Sequence, residues 1–168
     1  MSSASSLSRR GALLGTAALA LPVSVLAQPH STPIPATKAA LVGPLAPNPA
    51  EFKKVVADFT GSATPSTDGL QFDVPTLADN PSAVPVKVKV TAPITEQDWC
   101  EEIIVLAELN PSPLACKLQF TPLAGTAEAA VRVRLSQSQT IHALARFKSG
   151  KVLAAKQAVT VATSGCGM

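Results

Sequence analysis

The sequence predicts an all-β fold, an immunoglobulin-like antiparallel β-sandwich of about seven strands with a short N-terminal helix. From Leu70 onward, apolar and polar residues alternate with a period of two, clearly so from Val84 to Val90. Such alternation is typical of strands with one buried and one solvated face, and turn-forming residues separate the segments at the regular spacing of a sandwich. The predicted strands are residues 70–74, 84–90, 102–109, 114–120, 131–135, 141–147 and 152–161.

Residues 1–27 predict a bacterial export signal. Arg9 and Arg10 form a twin-arginine pair, and the apolar stretch that follows ends in a small-residue cleavage pattern at Ala27. The stretch is too short to span a membrane, and the arginine pair favours the twin-arginine route. We therefore expect a mature protein in the periplasm, without a membrane anchor.

Charge gives no sign of a nucleic-acid partner. The whole chain has a net charge of +3, but Arg9 and Arg10 leave with the signal, so that 12 of the 14 basic residues remain against 11 acidic ones. There is no basic stripe with interleaved aromatic residues, and the chain has no tyrosine. The remaining residues 28–168 suffice for one domain with its own core.

A leader and a helix precede the predicted sandwich. Residues 28–48 are rich in proline, alanine and threonine, which predicts an extended leader. Asn48 is a suitable N-cap, Pro49 suits the first turn and Glu51 stands where a capping-box acid belongs, so a helix is predicted to begin there and to end at Gly61. Its apolar residues fall on one face: Phe52, Val55, Val56 and Phe59. Helix and sandwich form one predicted domain, residues 49–161.

Cys100 and Cys116 raise the question of a disulfide. Thiols tend to pair in an oxidising compartment, and a bridge would stabilise the fold by roughly 2–4 kcal/mol. Hairpin geometry about the turn at residues 110–113 places Cys116 opposite about Ala107, which counts against the bridge unless the strand is bulged. We expect the bridge nevertheless, because two unpaired thiols would be unusual there.

The C-terminal tail holds the third cysteine, Cys166, between Gly165 and Gly167. Chain termini are poorly ordered unless tied down, and glycine adds backbone freedom, so residues 162–168 are predicted to be a flexible arm that presents a thiol. A nucleophilic enzyme would hold its thiolate beside a base. The mature chain has no C-x-x-C and only His30 and His142, so neither a metal site nor a cofactor is expected. His142 falls on the polar face of a predicted strand, and we expect it to be solvated rather than a ligand. The tail therefore favours a carrier whose chemistry is done by partners.

Several motifs stand between Leu70 and the C-terminus: Val84-Pro85-Val86, Asn110-Pro111-Ser112-Pro113, Val131-Arg132-Val133-Arg134-Leu135, Gly150-Lys151, Val159-Thr160-Val161 and Gly165-Cys166-Gly167. Together with the export signal and the helix, they resemble the SoxY family, the sulfur-carrying subunit of the periplasmic Sox pathway of thiosulfate oxidation. The usual tail of that family is Gly-Gly-Cys-Gly-Gly, from which Ser164 and Met168 depart here.

The resemblance implies that Cys166 is the site of covalent substrate attachment, that Gly165 and Gly167 supply arm flexibility, and that the protein has no catalytic site or cofactor of its own. It further implies a heterodimer with SoxZ, another small β-sandwich. Transient contacts with SoxAX, SoxB and a sulfane dehydrogenase follow from the same resemblance.

Two other functions stay open at the level of sequence. One is a non-catalytic periplasmic interaction module with an incidental C-terminal thiol. The other is a thiol enzyme or redox protein, for which a base, a C-x-x-C and a cofactor motif are lacking. Replacing Cys166 by serine separates the carrier from the interaction module, because only the carrier would lose its function.

Overall fold

The structure, a computed structural model, describes residues 43–162. The predicted export signal, most of the predicted leader, and the tail with Gly165, Cys166 and Gly167 lie outside the described residues. Two short 3-10 turns, at Gly43–Leu45 and Pro122–Ala124, accompany the regular elements. These elements are α1 (Pro49–Thr60), β1 (Leu70–Asp73), β2 (Leu77–Ala78), β3 (Val84–Val90), β4 (Cys100–Ala107), β5 (Leu114–Gln119), β6 (Glu128–Val133), β7 (Gln139–Phe147) and β8 (Val152–Val161).

The strands form two sheets that enclose the core, which confirms the predicted all-β sandwich. One sheet has three strands in the order β1-β3-β6, and the other has five in the order β2-β8-β7-β4-β5. Val84, Val86 and Val88 of β3 are fully buried, and the residues between them are exposed. The period of two therefore marks the strand whose outer face is open to solvent.

All seven predicted strands are present, and the eighth, β2, was not predicted. It has only two residues, too few to produce a periodic pattern, and it pairs in parallel with β8. The sandwich is therefore not wholly antiparallel. In addition, β6 begins at Glu128 rather than at residue 131, because its first apolar residues are alanines with a weak hydrophobic signal.

The helix α1 forms as predicted and covers the outer face of the five-stranded sheet. The Asn48 side chain accepts a hydrogen bond of 3.1 Å from the N–H of Glu51. At the other end Gly61 has a φ of 56°, which favours glycine, and its N–H donates to Ala57 O. Phe59 is buried against four residues of the sheet, Ile104, Leu106, Leu144 and Val152.

The cover that α1 provides explains why β4 shows no alternation. Its residues Ile103 to Ala107 are all buried, the inner ones in the sandwich core and the outer ones beneath the helix. Across residues 43–162, no helix has both the length and the apolar character needed to cross a membrane.

Candidate functional site

Ala162, the first residue of the predicted arm 162–168, is fixed to the end of the sandwich, and we call it the arm root. The N–H of Val161 donates to Ser138 Oγ at 2.9 Å, and the N–H of Ala162 donates to Ala78 O at 3.0 Å. Cys166 follows Ala162 by four residues in the sequence. At roughly 3.3–3.6 Å per residue, its Cα can therefore lie at most about 13–14 Å from that of Ala162.

The loop before β7 links the arm root to a cavity of about 570 Å³ at the same end of the sandwich. Ser138 of this loop holds Val161, and Arg134 and Ser136 line the cavity. Asn110, from the predicted turn between β4 and β5, lines another side. The exposed guanidinium of Arg134 gives the rim of this cavity a positive charge.

A hydrogen-bond network holds the loops of this end in place. The Oδ1 of Asn110 accepts from the N–H of Ser136 at 3.0 Å and from Nε2 of Gln139 at 2.9 Å, while its Nδ2 donates to Arg134 O at 2.8 Å. Buried Gln139 in turn accepts from the N–H of Leu109 at 2.7 Å. The Asn-Pro turn thus has a structural role beyond the reversal of the chain, which its sequence alone does not reveal.

Cys100 lies at the start of β4 in the sandwich core, with 1% of its surface exposed. Burial raises the pKa of the Cys100 thiol to about 11. The carboxylates of Glu101 and Glu102 act in the same direction, and a hydrogen bond with the backbone of Glu102 opposes them. Because the thiolate is the reactive form, this cysteine is a poor nucleophile at neutral pH.

Cys116 lies half-buried on β5, and burial raises the pKa of its thiol as well. The predicted disulfide between Cys100 and Cys116 is absent, and both thiols are free. The strand is indeed bulged, but Cys116 pairs with Val105. Five residues of β4 separate this position from Cys100, or roughly 17 Å at 3.4 Å per residue. A disulfide needs Cα atoms within about 7 Å, so the register forbids the bridge.

His142 is half-buried rather than solvated as predicted from its strand face. Its ring lies 5.0 Å from that of Phe52, on α1, and its Nε2 is 3.2 Å from a carboxylate oxygen of Glu108. The helix that covers this face accounts for the difference. His30 lies outside the described residues. Within residues 43–162, no three His, Cys, Asp or Glu side chains are grouped to hold a metal ion.

A buried carboxylate with two cations is the feature that sequence reasoning missed. Glu102, on β4, is 5% exposed and forms ion pairs with Arg146 of β7 and Lys117 of β5. The three residues are far apart in the chain and meet only through the pairing of β5, β4 and β7. A single acidic residue in a strand pattern carries no sign of this arrangement.

Comparison with known proteins adds to this geometry. The family model described as "Sulfur oxidation protein SoxY" matches residues 56–166, so the match extends over the sandwich and ends at the tail cysteine. No curated protein matches the chain in sequence.

Two solved structures are similar to the chain to different degrees. The sulfur carrier protein SoxY from Chlorobium limicola f thiosulfatophilum superposes with a TM-score of 0.55 at 22% identity, over 68% of this chain and 99% of that one. A superoxide reductase (neelaredoxin) from Ignicoccus hospitalis superposes with a TM-score of 0.47 at 14% identity, over 57% of this chain and 82% of that one.

Proposed function

The chain belongs to the SoxY family of sulfur oxidation proteins, and from that membership we propose that it is a periplasmic carrier that holds sulfur intermediates of thiosulfate oxidation covalently on Cys166. The observation that carries the proposal is the extent of the family match, which includes the sandwich and reaches Cys166 at its last position. In this proposal the chain is not an enzyme. Its substrate is attached, presented and released, and partner enzymes do the chemistry.

The state of the other two thiols supports the choice of Cys166. Attachment needs a thiol that a partner can reach and that can ionise. Cys100 is buried and has a pKa of about 11, so only about one molecule in ten thousand would carry its thiolate at pH 7. Cys116 is half-buried with a raised pKa. Neither is suited to receive a substrate, which leaves Cys166 as the attachment site.

The anchored root at Ala162 supports the proposed role of residues 162–168 as a swinging arm. A rigid root with a reach of about 13–14 Å would let Cys166 enter a recessed active site while the sandwich stays outside. Gly165 and Gly167 flank the thiol with bare backbone, which passes through a narrow channel more easily than side chains do. Met168 would have to enter ahead of the thiol.

The attachment step is an oxidation and therefore needs an electron acceptor. The Cys166 thiol and thiosulfate join through a new S–S bond, and one proton and two electrons leave, the electrons to a haem-containing SoxAX-like enzyme. A SoxB-like enzyme then uses water to hydrolyse the bond between the sulfonate group and the sulfur atom that joins it to the Cys166 sulfur. Sulfate leaves, and a persulfide stays on Cys166. A sulfane-dehydrogenase-like enzyme would oxidise the sulfur that remains.

The remaining parts of the chain are assigned by the same proposal. Residues 1–27 direct export by the twin-arginine route and residues 28–48 form a leader. Residues 49–161 are the carrier domain, which pairs with a SoxZ-like β-sandwich as a heterodimer.

The experiment is a serine replacement with a matched control. Cells that oxidise thiosulfate would carry Cys166→Ser or Cys116→Ser in place of the wild-type chain. We expect Cys166→Ser to abolish thiosulfate consumption while the purified protein keeps its β-sheet circular dichroism and its melting temperature, and Cys116→Ser to consume thiosulfate as the wild type does. Full consumption by Cys166→Ser would leave an interaction module with an incidental thiol.

A further inference from the structure

The outer face of the three-stranded sheet carries two exposed arginines near the arm root, Arg132 and Arg134, which we call the arginine pair. We propose that this pair is the docking surface for an acidic patch on client enzymes, meaning the enzymes that take Cys166 into their active sites. The inference rests on the proposed function for the existence of such clients, and it names the surface of the carrier that they cover.

The alternation of β6 places both arginines on one side of the sheet. Arg132 and Arg134 are exposed. Val133 and Leu135, which alternate with them, are buried. Successive side chains of an extended strand point to opposite faces, so the two arginines project from the outer face, roughly 7 Å apart along the strand. Pro85 of β3 stands opposite Arg132, so the neighbouring strand brings no acid to this part of the face.

Charge is distributed unevenly along this outer face. At the end far from the arm root, Lys89 forms an ion pair of 3.0 Å with Glu128. In the middle of the face, Asp73 of β1 stands opposite Lys87 of β3. Neither guanidinium of the arginine pair forms an ion pair with any of residues 43–162. Positive charge without a counter-charge is therefore concentrated at the end that holds the arm root.

The arm root and the arginine pair are tied to the same short segment, residues 78–81. The N–H of Ala162 donates to Ala78 O at 3.0 Å. The N–H of Leu135, the residue after the pair, donates to Pro81 O at 2.8 Å. The two accepting residues are three positions apart, which spans at most about 10–11 Å. The arginine pair therefore lies beside the arm root, at a distance comparable with the reach of the arm.

Carboxylates near the arm root do not cancel this charge. Asp79, in the loop before β3, is exposed and forms no ion pair with any of the described residues. Glu108 follows β4, and its carboxylate lies 3.2 Å from Nε2 of His142. That histidine contacts Phe52 of α1 and so belongs to the outer face of the other sheet. One aspartate carries less charge than two arginines, so positive charge prevails on this side of the arm root.

The length of the arm selects this end of the sandwich as the place of contact. The Cα of Cys166 can lie at most about 13–14 Å from that of Ala162, whereas even a small domain is about 30 Å across. A client enzyme that holds Cys166 in a recessed active site must therefore cover the surface around the arm root. Covering two guanidinium groups without a counter-charge is costly, so the facing patch of the client should be acidic.

Protection of a sheet edge is another role that two arginines could have. Strand β6 is an edge of its sheet, and charged side chains on an edge strand discourage the addition of a further strand. That protection works with charge of either sign, whereas docking of an acidic patch requires positive charge. Replacing both arginines by glutamate therefore separates the two roles.

The test follows sulfate release by a purified SoxB-like enzyme from the full mature chain, loaded on Cys166 and paired with its SoxZ-like subunit. The reversal variant carries Arg132→Glu with Arg134→Glu, and the conservative variant replaces the same two residues by lysine. The matched control carries Lys53→Glu with Lys151→Glu, which changes the net charge equally. Lys53 is exposed on α1, and Lys151 is exposed in the turn before β8, at the end of that strand far from the arm root.

The proposal predicts a change in KM that salt removes. At an ionic strength of about 0.01 M, we expect KM to rise roughly tenfold or more for the reversal variant, while kcat stays within about twofold. The conservative variant and the matched control should keep KM within about twofold of the wild type. In about 1 M salt, where the Debye length is only about 3 Å, all four proteins should have KM values within about twofold of one another.

Three results would overturn the docking surface. The first is an equal KM for the reversal variant and the matched control at low ionic strength. The second is a rise in KM that persists in about 1 M salt, because a change of structure rather than a lost charge would then be its cause. The third is loss of binding to the SoxZ-like subunit in the reversal variant, because that subunit would then be the occupant of the face.

The carrier function is judged separately, by the adduct on Cys166 of the wild-type chain. A normal adduct whose sulfate is released equally from the wild type and the reversal variant removes the docking surface and leaves the carrier proposal intact. Absence of the adduct from the wild type removes the carrier proposal, and the docking surface with it.

Discussion

The guanidinium of Arg146 donates a hydrogen bond of 2.7 Å to Oε2 of Glu102, a carboxylate that the sheet and helix bury. The same guanidinium lies 4.8 Å from the centre of the Phe59 ring and donates to Phe59 O at 3.4 Å. Lys117 pairs with the second carboxylate oxygen. One arginine therefore compensates a buried charge and holds α1 against the sheet.

We expect the fold to depend on this carboxylate. Glu102→Gln leaves Arg146 and Lys117 without their counter-charge, and breaking a buried pair costs about 3–5 kcal/mol. Both cations are partly exposed, so we expect a smaller loss of roughly 2–3 kcal/mol in the free energy of unfolding. Urea denaturation measures it. Lys54→Gln, which breaks the exposed Lys54–Asp58 pair, is the control and should cost about 0.5 kcal/mol at most.

The cap of α1 should contribute measurably to stability. The Asn48 side chain accepts from the N–H of Glu51, so Asn48→Ala leaves one donor of the first turn without a partner in the protein. We expect a loss of about 1 kcal/mol in urea denaturation and a nearly unchanged value for Asn48→Ser, which retains a capping oxygen. Equal losses for the two variants would show that the cap does not hold the helix.

The pKa of Cys100 predicts a loss of stability at high pH. Burial raises this pKa from 9.0 to about 11 in the folded chain, so deprotonation favours the unfolded chain. The stability that depends on the neutral thiol is complete below about pH 9 and is lost as the pH rises to about 11, by about 2–3 kcal/mol in all. We expect the slope of unfolding free energy against pH to be shallower in Cys100→Ala. Equal slopes for variant and wild type would place the pKa of Cys100 near its ordinary value.

The three cysteines should react with alkylating reagents at different rates. At pH 7.5, iodoacetamide should label Cys166 first, Cys116 slowly and Cys100 only after unfolding, because burial raises the pKa of both Cys100 and Cys116. Mass spectrometry of peptides follows each site. Rapid labelling of Cys100 in the folded chain would contradict the burial that the structure describes.

The sequence predicts those elements whose signal is local and repeated. The alternation of Val84 to Val90 and the cap at Asn48 each determine their own conformation, and both are confirmed. The contacts of Glu102 and the environment of His142 depend on which strands become neighbours and on the helix that covers them. These contacts are determined by tertiary packing, and no repeating pattern in the sequence indicates them.

The cysteine pairing shows the same limit. The tendency of thiols to form disulfides in an oxidising compartment favours a bridge between Cys100 and Cys116. The register of β5 on β4 instead places Cys116 opposite Val105, far from Cys100, and both thiols are free. The hairpin geometry read from the sequence pointed in the correct direction, but its partner for Cys116 was off by two residues. The connection between β4 and β5 is longer than the four-residue turn, because Leu106 rather than Leu109 pairs with Leu114. The strand register therefore keeps the two thiols apart, whatever their general tendency to pair.

The most direct test of the carrier proposal is the intact mass of the mature protein, isolated without reductant from cells that are oxidising thiosulfate. We predict sulfur-containing adducts that reductant removes, that persist in Cys116→Ser and that are absent from Cys166→Ser. A wild-type chain whose Cys166 is bare, or linked only to a second chain, under these conditions would contradict the carrier function.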